Sequence, residues 1–354
     1  MKSILAPIAS LLPPVTARPR CLTRAASPAR MIPGRLMRHC LVATALLAAS
    51  LATMGRPPEH IACHLDWFPG AQFAGLYVAE AKGFYRAANL DATLVPFAFG
   101  AKSAEAIGTS QPAALGCIEG YIFLQKRAKG ADLRALAATL RESPAGYLSL
   151  AQHPVRSAHD FSGQRIGVHR YGDPLYHWFL RRAGMPETAA TMVFVGDDLG
   201  PLLRGELVAM QGYATEELVR LRAQVGAQAR FVSFRELGFD SYSEIMYTTP
   251  GQLASHGPAI QAFLQATRRG WREAFAHPED TLAVLHARMG DKFDAARVRA
   301  ALAALEPLVL DETGEALAPM SAAKWRAMEE ACVEMGFTRA VEPPEKFLVP
   351  DLMP

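Results

Sequence analysis

From about residue 60 the chain alternates short apolar runs with stretches whose apolar residues recur every three or four positions. That alternation suits little besides a mostly parallel sheet covered by helices. The first unit is the stretch HLDWFPGAQFAGLYVAEAKGFYRAANLDATLVP, residues 64 to 96. Ile61 to Leu65 reads as its strand and Phe73 to Ala87 as its helix, with a Trp-Phe-Pro-Gly turn between them and no strong cap in the first helical turn. Further strands are expected at Ala92 to Phe97 and Ala113 to Cys117, with helices near 102 to 109 and 120 to 129. Apolar runs at Leu133 to Thr139 and Tyr147 to Ala151 complete one lobe.

The polar stretch HPVRSAHDFSG, residues 153 to 163, reads as a crossing. Beyond it a second α/β lobe begins with a strand at Arg165 to Val168 and a helix from Pro174 to Ala183, stopped by Gly184 and Pro186. The runs TMVFVG, LVAMQGY and ARFVSF add strands, and DSYSEIMYTT, residues 240 to 249, leads back to the first lobe. The remainder is helical and amphipathic, with Trp271 and Trp325 on apolar faces. The expected division is an extension with an export signal over 1–54, the first part of lobe 1 over 55–153, lobe 2 over 154–244, and the return to lobe 1 over 245–354.

The chain's 354 residues, half of them hydrophobic, supply core for about two domains. A net charge of +3, with no basic stripe, argues against a nucleic-acid partner. The five cysteines, at 21, 40, 63, 117 and 332, lack zinc-site spacing. Residues 35 to 55 have a basic start, an apolar stretch of about fifteen residues, short of the ~20 that span a bilayer, and small residues at Ser50 and Ala52. This reads as an export signal, with Met31 or Met37 as alternative starts and an uncleaved anchor as the competing reading. After cleavage Cys63, Cys117 and Cys332 remain, an odd number, so at least one thiol stays free; all three are expected to be buried.

No GxGxxG, GxxxxGK[ST] or GxSxG motif occurs, and the ten histidines have no partners at metal-ligand spacing. No catalytic residue, metal or cofactor is therefore expected. In α/β sheets ligands sit at the carboxyl ends of strands, where helix N-termini offer free N–H groups. The turns at Asp66 to Phe73, Phe99 to Ser103, His169 to Pro174 and Tyr213 to Glu217 are the candidates.

These turns, with LDWFPGAQFAGLYVAEAKGFYRAANLD, FGAKSAEAI, KRAKG, DFSGQRIGV, GYATEEL and FLQATRRGWREAFAHPEDTLAVL in this order, resemble the type II periplasmic binding proteins of the thiamine-pyrimidine, sulfonate and nitrate group, over about residues 60 to 340. Their superfamily also contains the fungal thiamine pyrimidine synthase. The resemblance implies an α/β fold of two lobes, each a mixed sheet flanked by helices, joined by two crossings and closing on a small molecule. It also implies an exported, periplasmic protein, monomeric by default, that delivers a small heteroaromatic or organic anion to an ABC permease and its ATPase.

By the same resemblance Asp66, Trp67 and Pro69 match the first turn of the pyrimidine binders, while Gly70 and Phe73 replace Asn and His, leaving Gln72 as the nearest polar substitute. Lys102 and Ser103 would start a helix at the cleft. Trp67, Tyr121 and Tyr171 are placed to sandwich a flat ring, and Arg170 to clamp an anion. In GYATEE, after Tyr213, Glu216 would bond a ligand amino group, with Glu217 as the alternative. The synthases need a cysteine cluster near the returning strand and a Lys and His pair. SYSEIMYTT has no cysteine, which weighs against synthase activity. A ligand sensor signalling through a partner is the third reading.

Overall fold

The computed structural model describes residues 57–349 other than Tyr171, together with Leu352. The expected export signal and Tyr171 lie outside the described residues. Ten strands run β1 (Glu59–His64), β2 (Leu90–Val95), β3 (Ala113–Ile118), β4 (Arg134–Leu140), β5 (Ala145–Leu150), β6 (Arg165–His169), β7 (Thr191–Val195), β8 (Ala209–Tyr213), β9 (Ala229–Ser233) and β10 (Ser243–Thr248). They form two five-stranded sheets, ordered β2-β1-β3-β10-β4 and β7-β6-β8-β5-β9. In the first, β1 lies parallel between β2 and β3, and β10 runs antiparallel to β3 and β4. In the second, β6 lies parallel between β7 and β8, and β5 runs antiparallel to β8 and β9.

The fourth strand of each sheet is thus the antiparallel one, and it is the strand that follows a crossing between the lobes. This corrects the expectation for Tyr147 to Ala151. The run belongs to β5 in the second sheet, so the outward crossing is the four-residue link 141–144 rather than the stretch near 153. An apolar run shows that a strand is buried without showing against which neighbours, so the wrong sheet was an open choice. The stretch 153–163 is a loop inside the second lobe, where Ser157 and Asp160 form a capping box. The return crossing runs from 234 to 242.

The main helices are α1 (Ala74–Ala81), α2 (Ser103–Thr109), α3 (Gly120–Ala128), α4 (Asp173–Arg182), α5 (Glu217–Val225), α6 (Pro250–Ala276), α7 (Pro278–Met289), α8 (Ala295–Val309) and α9 (Ala322–Glu334). Thr249, Asp294 and Ser321 cap α6, α8 and α9 with their side chains. On α6, Trp271 is fully buried against α1 at Gly75, where a Cβ would enter the indole. Trp325 and Met328 of α9 share a core with Tyr147 and Phe179 of the second lobe. The Trp178 Nε1–H of α4 donates to Glu334 at 2.7 Å, so α9 braces both lobes beside the crossings. Cys63, Cys117 and Cys332 are buried and free.

Candidate ligand-binding cleft

The carboxyl ends of β1 and β3 converge on Asp66 and Glu119, and β10 enters between β3 and β4 with Glu244. Glu244 is held at φ 51, a left-handed conformation that costs a non-glycine residue about 1–3 kcal/mol and is often found at functional sites. The Ser243 hydroxyl donates a hydrogen bond to Glu119, and the Glu244 and Asp66 carboxyls lie close enough to share a proton. Apart from the proton these two carboxyls share, no other group among the described residues hydrogen-bonds the buried Asp66 Oδ1 or Glu244 Oε2.

Burial dominates the electrostatics of this floor. It pushes the Glu119 carboxyl up to about 8, over the opposing hydrogen bond from Ser243 and with a further rise from the Asp66 charge. Burial also drives Glu244 well above the ordinary carboxylate range, reinforced by the charge and hydrogen bond of Asp66. Asp66 rises by burial, partly offset by the proton that Glu244 shares with it. At neutral pH the group therefore holds protons as well as charge, and offers both donors and acceptors.

A narrow cleft opens beside Glu119 between the two sheets. Tyr121 and Phe337 line one wall, Gly172, Leu175, Gln211 and Tyr213 the other, and Ser143 and Ser241 sit at the crossings. Tyr121 stacks on Phe337 at 5.5 Å. Tyr213 leaves its ring 38% exposed to the cleft, while burial of the hydroxyl end and the Glu119 charge raise its phenol. Gln211 accepts the His169 backbone N–H at 2.9 Å, which fixes the turn after β6. A Cβ at Gly172 would strike that glutamine, so glycine is what lets the turn approach so closely. No lysine, arginine or histidine lines this cleft among the described residues.

The expected site residues separate into groups. Tyr121 and Tyr213 line the cleft walls, while Asp66 is buried near Glu119 and Glu244 and is not among the lining residues. Trp67 is not among the lining residues: it is 52% exposed, in an aromatic group with Phe68, Phe97 and Phe99 whose neighbouring ring centroids are 5.1 to 5.7 Å apart. Gln72, the polar substitute in this turn, folds back onto Gly70 and fills the space a side chain there would need. Lys102 is exposed and Ser103 half-buried, and neither is among the residues that line the cleft. The Arg170 guanidinium lies over the Phe194 ring at 5.5 Å, on the outer strand of the second sheet.

Glu216 and Glu217 stand in different surroundings. Glu217 is buried and accepts the Tyr213 backbone N–H at 2.8 Å. Glu216 begins α5 half-buried, its acidity weakened by burial and then by Glu217, with Arg297 of α8 and Arg220 opposing. Glu119, Glu244, Gln211 and the crossing serines were absent from the sequence-based set. One signal was available: Glu119 is an acid directly after a fully buried strand and directly before a glycine, in AALGCIEGY.

Two like-ordered sheets with a cleft between them define the two-lobed periplasmic binding protein fold. The aliphatic sulphonate binding protein SsuA from Escherichia coli shares it at TM-score 0.65 and 17% identity, over 82% of this chain and 92% of that one. The model of the family described as NMT1/THI5 like matches residues 70–281, and the chain belongs to this family. The riboflavin-binding protein RibY of Chloroflexus aurantiacus is 23% identical over 256 residues, 69% of this chain and 72% of RibY. A formylaminopyrimidine-binding protein of Halalkalibacterium halodurans is 23% identical over 234 residues, 64% of this chain and 70% of that protein.

Proposed function

We propose that this chain is the solute-binding component of an ABC importer, capturing one small flat organic molecule between its lobes. The carrying observation is the cleft itself: it lies at the carboxyl ends of both sheets, between the rings of Tyr121 and Tyr213, with the buried Glu119 carboxyl in its lining. Tyr121 and Tyr213 would hold the ring, Asp66 and Glu119 its polar edge, and Trp67 would cover the mouth. The crossings at 141–144 and 234–242 would act as the hinge for closure.

The names of its relatives, which bind riboflavin, a formylaminopyrimidine and sulfonates, support a heteroaromatic or organic-anion solute. Export would follow from the signal-like residues 35–55, placing the protein in the periplasm as a monomer that docks on permease and ATPase subunits. Among the described residues no helix is long and apolar enough to cross a membrane.

A thermal-shift screen against pyrimidines, riboflavin, alkyl sulfonates, nitrate and aromatic carboxylates tests this reading. A saturable rise in melting temperature with one class is expected. A flat response to the whole panel would count against solute capture.

A further inference from the structure

Three polar side chains in the cleft lining hold hydrogen-bonding capacity that no described residue takes up. Ser241, on the return crossing, is 2% exposed, and its Oγ has no partner among the described residues. Its backbone carbonyl accepts the Ser143 N–H at 2.9 Å, which ties the two crossings together where both serines line the cleft. Gln211 is buried and commits its side-chain oxygen to the His169 N–H, so its NH2 is the part left to meet a ligand. The Ser243 hydroxyl occupies one of the two Glu119 oxygens, and burial, pushing that carboxyl up to about 8, keeps it largely protonated at neutral pH. A buried hydroxyl without a partner is rare, and a ligand atom within its reach recovers the missing bond.

We propose that the recognised end of the ligand is an uncharged amide-type edge, a carbonyl beside an N–H as in a carboxamide, lactam or ureide, and that Ser241, Gln211 and Glu119 determine that specificity. The inference rests on the solute-binding reading and deepens it. The carbonyl supplies the acceptor that the Gln211 NH2 needs. The Ser241 hydroxyl and the Glu119 carboxyl can each give or take a hydrogen bond, and so match the N–H beside it. Charged heads fit worse. An anion meets no basic side chain among the described lining residues and stands beside a carboxyl, and a cation brings only donors to the Gln211 NH2. Aromatic rings on both walls, Tyr121 stacked on Phe337 and Tyr213 across from them, suit an edge that belongs to a flat ring.

Benzamide, benzoate and benzamidine are close in shape and carry a neutral, an anionic and a cationic head on one ring. Ligand-observed NMR titration of the full chain at neutral pH should show benzamide binding at least about fivefold more tightly than either charged probe. Ser241→Ala should weaken benzamide about two- to tenfold, the range of one hydrogen bond, yet melt no lower than the parent, because the hydroxyl it removes has no partner in the free protein. Gln211→Glu keeps an oxygen for the His169 N–H and replaces the NH2 donor by an acceptor, and should turn the preference from benzamide to benzamidine. Equal or tighter binding of benzoate or benzamidine by the parent, full benzamide affinity or a lowered melting temperature in Ser241→Ala, an unchanged order of preference in Gln211→Glu, or no binding of benzamide would each overturn the proposal. If a solute from the wider panel binds while benzamide does not, solute capture stands and the amide assignment falls. If nothing in either set binds, the solute-binding reading itself falls.

Discussion

Glu217 accepts the backbone N–H of Tyr213 at 2.8 Å through one carboxylate oxygen and the Arg220 guanidinium at 3.1 Å through the other. This closes the turn that presents Tyr213 to the cleft. Glu217→Ala leaves a charge-assisted hydrogen bond unmade and should cost about 1.5–3 kcal/mol. Glu216→Ala, which removes no side-chain cap, should stay within about 0.5 kcal/mol. Thermal denaturation of the two variants checks the pair, and equal losses would contradict the division of roles.

The buried carboxyls give the unliganded protein a definite pH dependence. Glu119 rises from 4.5 to about 8 and Glu329 of α9 to about 7, burial being the leading cause in both. Between pH 4.5 and these values the native state holds more protons than the unfolded chain, so stability is greatest at the acidic side of the window and falls as pH rises. Melting curves from pH 5 to 8 should show this decline, and Glu119→Gln should make it shallower, with Glu329 and the other burial-raised carboxyls, Glu244 among them, supplying what remains. An unchanged slope in the variant would place the titration elsewhere.

The helices α1 and α6 touch backbone to backbone. A Cβ at Gly270 would run into the Gly75 carbonyl oxygen and meet the Ala79 side chain at 2.8 Å. Gly270→Ala should therefore destabilise by about 1–3 kcal/mol by overpacking, despite the better helix propensity of alanine. A neutral or stabilising result in chemical denaturation would mean that the two helices can separate freely.

Trp67 is 52% exposed, whereas Trp178, Trp271 and Trp325 are at most 2% exposed. Quenching of tryptophan emission by acrylamide should come mainly from Trp67 and be largely lost in Trp67→Phe. A bound solute whose capture draws Trp67 over the cleft should protect the same residue. Quenching that survives the substitution would show that a buried tryptophan is reached by opening of the fold.

The α/β architecture was legible in the sequence because hydrophobic period reports burial, and the central strand AALGCI, buried along its whole length, is unmistakable on that basis. Sheet membership was not, since β5 reads the same against either set of neighbours and only the four-residue link to β4 carries it into the second lobe. Tyr121 and Tyr213 reach the cleft wall because they stand at the carboxyl ends of β3 and β8. Glu244 could not be read from the sequence: it stands second in the strand SEIMYT, beside a serine, and its left-handed backbone is a tertiary outcome with no local signal. Lys102 and Ser103 show the converse, a helix start that looks suited to an anion but opens a seven-residue helix away from the cleft lining.

The most direct test of solute capture is an equilibrium titration of the full chain with the solute that raises its melting temperature, followed by recovery of that solute. The account predicts one molecule bound per chain and the compound returned chemically unchanged. Conversion of the solute to another species would identify an enzyme and contradict the account.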